Sequence, residues 1–162
     1  MQPAAGAIGA LESMPLAVAM RQELWLYPAI EIAHIAGFVV LVGSIAMLDL
    51  RLLGFSRALP VSVLTRHVVP WTIGAFVVIL PSGLLMFTAH ASDFLNNPVF
   101  LVKLLLIMFA AINAGLFHAG VYRSVALWDR DAVPPPRARL HAVASLLLWF
   151  SVIACGRLLA YV

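Results

Sequence analysis

Charge is what this chain lacks most. Only 10% of its 162 residues are Asp, Glu, Lys or Arg, against about 25% in a soluble domain. With 64% hydrophobic residues and a mean hydropathy of +1.04, that deficit selects an integral membrane protein. Cysteine is nearly absent too. Cys155 stands alone, so no intrachain disulfide can form. No basic stretch opens the N-terminus, and residues 1–10 are short and Gly-rich, so no cleavable signal peptide is expected. There is no Gly-rich phosphate loop, no His-Glu-x-x-His, no Cys-x-x-Cys and no defensible Ser-His-Asp spacing. No Met/His-rich tract marks a path for a soft metal. The net charge of +3 is no nucleic-acid signal, because the basic residues cluster at the ends of apolar runs.

What is present is long apolar sequence. A membrane span needs about 20 apolar residues. Such runs cover about 24–48, 68–89, 99–122 and 140–161. Short connections favour antiparallel neighbours, so the expected fold is all-α, an up-down four-helix membrane bundle. Before it, Glu12-Ser13-Met14-Pro15 reads as a helix start, continued by Leu16–Gln22. A short interfacial helix is expected there. Asp129–Pro136 reads as an extended loop, and Pro81 with Ser82 and Gly83 as a kink in the second span. The whole chain is one transmembrane domain without internal repeats.

The basic residues orient the bundle. Arg51, Arg57 and Arg66 follow the first span; Arg123, Arg130, Arg137 and Arg139 follow the third. The connection 90–98 carries neither Arg nor Lys. By the positive-inside rule both basic loops are cytoplasmic and both termini lie outside a bacterial inner membrane. Trp25, Tyr27, Trp71, Trp128 and Tyr161 fall near span ends, as interfacial belts require. Gly37, Gly43, Gly74, Gly83, Ala111, Ala114 and Gly115 supply faces on which helices can approach closely.

Five histidines lie in or beside these spans. An ionisable ring in hydrocarbon is costly, and imidazole is a common ligand for metals and haem iron. By helical rise, His34, Glu31, Lys103 and Arg157 fall at similar depth in the outer half. An isolated charge there costs on the order of 2.5–3.5 kcal/mol, so Glu31 is expected to pair with Arg157 or Lys103. The functional reading is a site for an anionic group such as haem propionates. The plainer one is a structural ion pair, or snorkelling. Toward the cytoplasm lie His67, His118 and His141. His67 and His141 sit on diagonal spans, and either one, or the better buried His118, can serve as an iron ligand. For the two loop-edge histidines the plainer reading is a solvated interfacial ring. His90 differs in depth from His34, which strains a pairing of the two. Met108 or Met86 are alternative partners, and more simply packing residues. Asn113 is expected to make an interhelical hydrogen bond. The polar groups form two layers rather than one continuous stripe, which speaks against a channel.

Several stretches carry a resemblance together. They are Leu26-Tyr27-Pro28 with Glu31-Ile32-Ala33-His34, Val42-Gly43-Ser44, and Asp49-Leu50-Arg51-Leu52-Leu53-Gly54. With them come Pro70-Trp71-Thr72, Asn97-Pro98-Val99-Phe100-Leu101-Val102-Lys103, Asn113 with Phe117-His118, and Gly156-Arg157-Leu158-Leu159-Ala160-Tyr161. This set resembles a bacterial family of four-span membrane proteins of unknown function. More distantly, His34, Gly37 and Lys103 are similar to the membrane domain of copper-resistance protein D and to haem-containing protoporphyrinogen oxidase. That likeness implies His34 as haem or metal ligand and Lys103 as its charged partner. The expectation is a membrane b-type haem protein holding one or two haems. His34 would serve an outer haem with Arg157 and Lys103 near its propionates, and His118 with His67 or His141 a second. Electrons would pass between quinone, or a redox partner protein, and an acceptor. The rivals are a non-redox subunit of a larger membrane complex and a copper-handling protein. A homo-oligomer stays open; nucleic acid is not an expected partner.

Overall fold

Four helices of the computed structural model, which describes residues 3–161, are long and apolar enough to cross a membrane. Two shorter helices precede them, α1 (Pro3–Glu12) and α2 (Pro15–Gln22). The spans are α3 (Leu26–Leu53), α4 (Val61–Ala89), α6 (Pro98–Ala119) and α7 (Pro136–Leu158). A short α5 (Ala91–Asn96) joins α4 to α6, and a 3-10 segment (Val121–Leu127) follows α6. The all-α four-helix fold expected from the apolar runs is what forms. Outward faces stay apolar, with Val77 68% and Phe150 74% exposed. That suits lipid surroundings and leaves no polar face to fix the rotation of a span.

The helix ends have local causes. Pro15 takes the first position of α2, where its missing N–H costs nothing. α3 runs past the apolar stretch to Leu53 and stops at Gly54, whose φ of +108° favours glycine. There Phe55 N–H reaches Leu50 O at 3.1 Å, closing a Schellman turn. α3 is therefore 28 residues long, about 42 Å by helical rise against a hydrocarbon core of about 30 Å. α4 likewise starts earlier than the apolar run, at Val61, after Pro60. Pro60 caps nothing. Asp129 caps α4 from the distant loop, with Oδ1 accepting from Ser62 N–H (2.7 Å) and Oδ2 from Ser62 Oγ (2.8 Å). Those hydrogen bonds, the backbone one first, hold the Asp129 carboxyl below its usual range. α4 continues through Pro70 and Pro81. Asn97 caps α6 by accepting from Val99 N–H at 2.9 Å.

The spans pack in the order α4, α3, α7, α6. α3 and α4 make the most extensive contact. A Cβ on Gly37 would meet Ile79 Cγ1 at 3.0 Å and Ala75 O at 3.5 Å, so only glycine permits this approach. The fourth side of the bundle is open. No Cα of α4 comes within 8 Å of one in α6. Aromatic rings bridge that gap at one end, where Phe87 and Phe100 stack at 5.8 Å with Phe94 beside them.

The two ends of the bundle are tied differently. At the end carrying the N-terminal helices, Arg21 donates to Ala89 O (2.8 Å) and Glu12 O (2.7 Å). Glu12 accepts from both Ser92 N–H and Ser92 Oγ at 2.7 Å, which lowers its carboxyl pKa. Ala17 and Met20 of α2 are buried, and α2 packs on α4. At the other end, which holds the arginine-rich loops, Arg51 is 2% exposed. Its guanidinium donates to the carbonyls of Leu59 (2.6 Å), Arg57 (3.2 Å) and Asp129 (3.0 Å). Arg51 is thus a packed tie between two loops as well as part of the charge asymmetry.

Candidate functional site

Polar groups inside the bundle gather in two places. The first lies in the half near the N-terminal helices. His34 of α3 meets Ser82 of α4, with Nδ1 and Oγ 2.9 Å apart. Ser82 Oγ also lies 2.6 Å from Val78 O, within its own helix. A hydroxyl has one proton. With that proton on the Val78 carbonyl, a neutral His34 carries its own on Nδ1 and donates it to Ser82 Oγ. Nε2 is then left with a free lone pair. The ring lies over Gly83, where a Cβ would come within 3.1 Å of Cε1. Gly83 and Gly37 thus both serve the tight α3–α4 contact; neither leaves room for a macrocycle between those helices.

Lys103 of α6 is within electrostatic range of His34, as is Glu31. Its amine rests on α7, where a Cβ at Gly156 would lie 3.8 Å from Nζ. Among the described residues Lys103 has no carboxylate partner, and Glu31 is exposed and forms no ion pair. The expected pairing of Glu31 with Arg157 or Lys103 therefore does not form. Arg157 turns away as well. It is exposed, hydrogen-bonded to the Tyr161 hydroxyl, and stacked 4.8 Å from that ring's centroid. Four residues separate them, so the two side chains meet one turn apart on the protein's surface.

The second place is a cavity of about 170 Å³ among all four spans, toward the arginine-rich end. Its polar lining is Asp49, Thr72, Asn113, His118, His141 and Ser145. Asp49 is 5% exposed and lines the cavity beside Ser145, and its Oδ2 has no partner. Asn113 bridges α6 to α7 twice, donating to His141 O (3.0 Å) and accepting from His141 Nδ1 (2.8 Å). This is the interhelical amide bond expected of it. His141 is consequently protonated on Nδ1 when neutral, with Nε2 free.

The remaining histidines are not brought together. His118 is exposed, against the expectation of a better buried ring, because its neighbour Phe117 takes the inward position at 4% exposure. Its Nδ1 donates to Ala114 O at 2.9 Å within its own helix. His118 and His141 both pack on the Phe117 ring, at centroid distances of 5.2 and 5.9 Å. His67 is exposed, while Val68 beside it is buried and lines the cavity, so His67 does not face His141. His90 lies 3.7 Å from Asp93 and edge-on to Tyr27. Among the described residues no three His, Cys, Asp or Glu side chains converge as a metal site.

Asp49 is the site residue that the sequence did not single out as functional. The sequence held a signal: nothing breaks the helix between Asp49 and Gly54, so Asp49 lies within it. Residues 26–162 match the model of a family of unknown function (DUF6644). No curated protein and no solved structure matches the chain.

Proposed function

The chain belongs to that family of unknown function, which has no activity to lend it, and we propose from its own residues that it is a membrane haem protein of the b type. The observation that supports this most is His34, a half-buried imidazole whose Nδ1 is fixed by Ser82. Histidines that ligate a metal commonly donate their other ring N–H in this way, which sets tautomer and orientation. Haem asks for one or two protein ligands; a bare copper ion asks for a convergent set, and no such set is formed here among the described residues. His34 would offer Nε2, and Lys103, without a carboxylate of its own, would pair with a propionate. Bound iron would supply one-electron chemistry. The electron would be exchanged with a quinone or a partner protein. The reading is narrowed to one haem, because His67, His118 and His141 form no opposed pair.

The rival, a non-redox subunit of a larger membrane complex, draws on one observation. His34, His118 and His141 each already have a hydrogen-bond partner within the protein. A reduced-minus-oxidised absorption spectrum with haem quantitation, on protein purified from haem-replete cells, separates the two. The haem reading expects a b-type spectrum that His34→Ala abolishes and Lys103→Ala weakens. A colourless wild-type protein would overturn it in favour of the subunit.

A further inference from the structure

The cavity around Asp49 has chemistry of its own, separate from His34. Its walls are mostly apolar, from Ile45 and Leu48 of α3 to Phe76 of α4 and Ile107 of α6. Set into them is a carboxyl oxygen, Asp49 Oδ2, that is buried and unpartnered. Burying such an acceptor without a donor is costly, because the water it gives up is not replaced. Folding alone gives no return for that cost, since no donor of the protein reaches this oxygen.

The route into the cavity is lateral. It lies where α4 and α6 stay more than 8 Å apart, Cα to Cα. Ala111 and Ala114 of α6 line the cavity and are also exposed, so small side chains leave the mouth unfilled. That mouth lies between two spans, so it faces hydrocarbon. A ligand arriving this way is lipid-soluble. The size is that of one ring: the cavity measures about 170 Å³, and an apolar cavity of about 150 Å³ accepts benzene. Two acceptors face it, Asp49 Oδ2 and the free Nε2 of His141. Each accepts from one hydroxyl, so a ring that carries two hydroxyls answers both.

We propose that this cavity binds the headgroup of a lipid-soluble 1,4-quinol, one hydroxyl donating to Asp49 Oδ2 and the other to His141 Nε2. The alkyl tail leaves between α4 and α6 into the bilayer. The site stands whether or not a haem is bound at His34, and its test reads binding alone.

The probes are 2-decyl-1,4-benzoquinol and its dimethyl ether, which cannot donate. Each is titrated under reducing conditions into the full-length protein in lipid nanodiscs. The readout is the fluorescence of Trp149, which lines the cavity at 7% exposure; Trp149→Phe identifies its signal. The quinol is expected to saturate at one per chain and to bind at least tenfold more tightly than the ether. Asp49→Asn should weaken the quinol about tenfold, as expected for the loss of one buried hydrogen bond, and leave the ether unchanged. Ala114→Leu, which fills the mouth, should weaken both. Equal binding of quinol and ether overturns the proposal. So does the absence of saturable binding, which would mean a cavity holding water only, or an Ala114→Leu variant that binds as the wild type does. Should Asp49→Asn fail to fold, the quinol–ether comparison and Ala114→Leu still decide.

Discussion

Arg51 gives the sharpest test of how the arginine-rich end is held. It is the largest fully buried side chain among the described residues. Its Nε and Nη2 donate to three carbonyls, on Leu59, Arg57 and Asp129, which belong to two separate loops. Each bond from a charged donor contributes about 1.5–3 kcal/mol. The sum overstates the loss, because loops at the end of a bundle can take up water in place of the guanidinium. Arg51→Ala should therefore cost about 3–4 kcal/mol, near the cost of breaking a buried charge pair. Arg51→Lys should recover only part, since an ammonium is a point donor and cannot span the same fork. The assay is equilibrium unfolding in mixed detergent–SDS micelles, followed by tryptophan fluorescence, with Trp128 close by in the same junction. Arg123→Ala is the control. That side chain is exposed, and its loss should stay within about 0.5 kcal/mol. A loss below about 1 kcal/mol for Arg51→Ala would refute the reasoning, because that is what a surface cation contributes.

Asp129 gives a pH signature at the same junction. Its folded pKa lies below the ordinary carboxylate value, so its contribution is fully present above about pH 4. It is lost as pH falls through the lower folded value. Unfolding curves should show wild type holding its advantage over Asp129→Asn down to about pH 4 and losing it as pH falls further; an unchanging gap would count against the cap. For α3–α4 packing, Gly37→Val should destabilise by about 1–3 kcal/mol through overpacking. Gly43→Ala, with nothing within 4 Å of its added Cβ, should be neutral or slightly stabilising. Equal effects at both glycines in the same unfolding assay would contradict the close approach.

The spans were legible because about 20 apolar residues in a row admit few other readings. Their ends were less so, for a physical reason. Hydropathy marks where hydrocarbon stops, whereas a helix stops where its backbone is capped. α3 passes Asp49 and Arg51 and ends at Gly54, and α4 begins where Asp129 supplies acceptors from far along the chain. The direction of each histidine was not legible. Spans that are apolar all round carry no polar face to fix their rotation. One residue's shift then decides between core and exterior, as Phe117 against His118 and Val68 against His67 show. Asn113 was legible because a mid-membrane amide must find a partner and can do so only on another helix or in a cavity.

The same necessity separates structure from function in this bundle. Lipid rewards no polar group, so each one inside has to be satisfied by the fold or kept for another purpose. The fold accounts for Nδ1 of His34, His118 and His141, for Asn113, and for the Asp129 cap. It does not account for Asp49 Oδ2, for Arg51 Nη1 at the loop junction, or for a half-buried Lys103 without a carboxylate. Asp49 and Lys103 lie in different halves of the bundle, on different helices, and cannot answer each other. Each therefore calls for a partner from outside the chain, an anionic one beside His34 and a hydrogen-bond donor in the cavity. Replacing Asp49 with an apolar residue should then stabilise the isolated protein, or leave it unchanged, while removing the cavity's ligand.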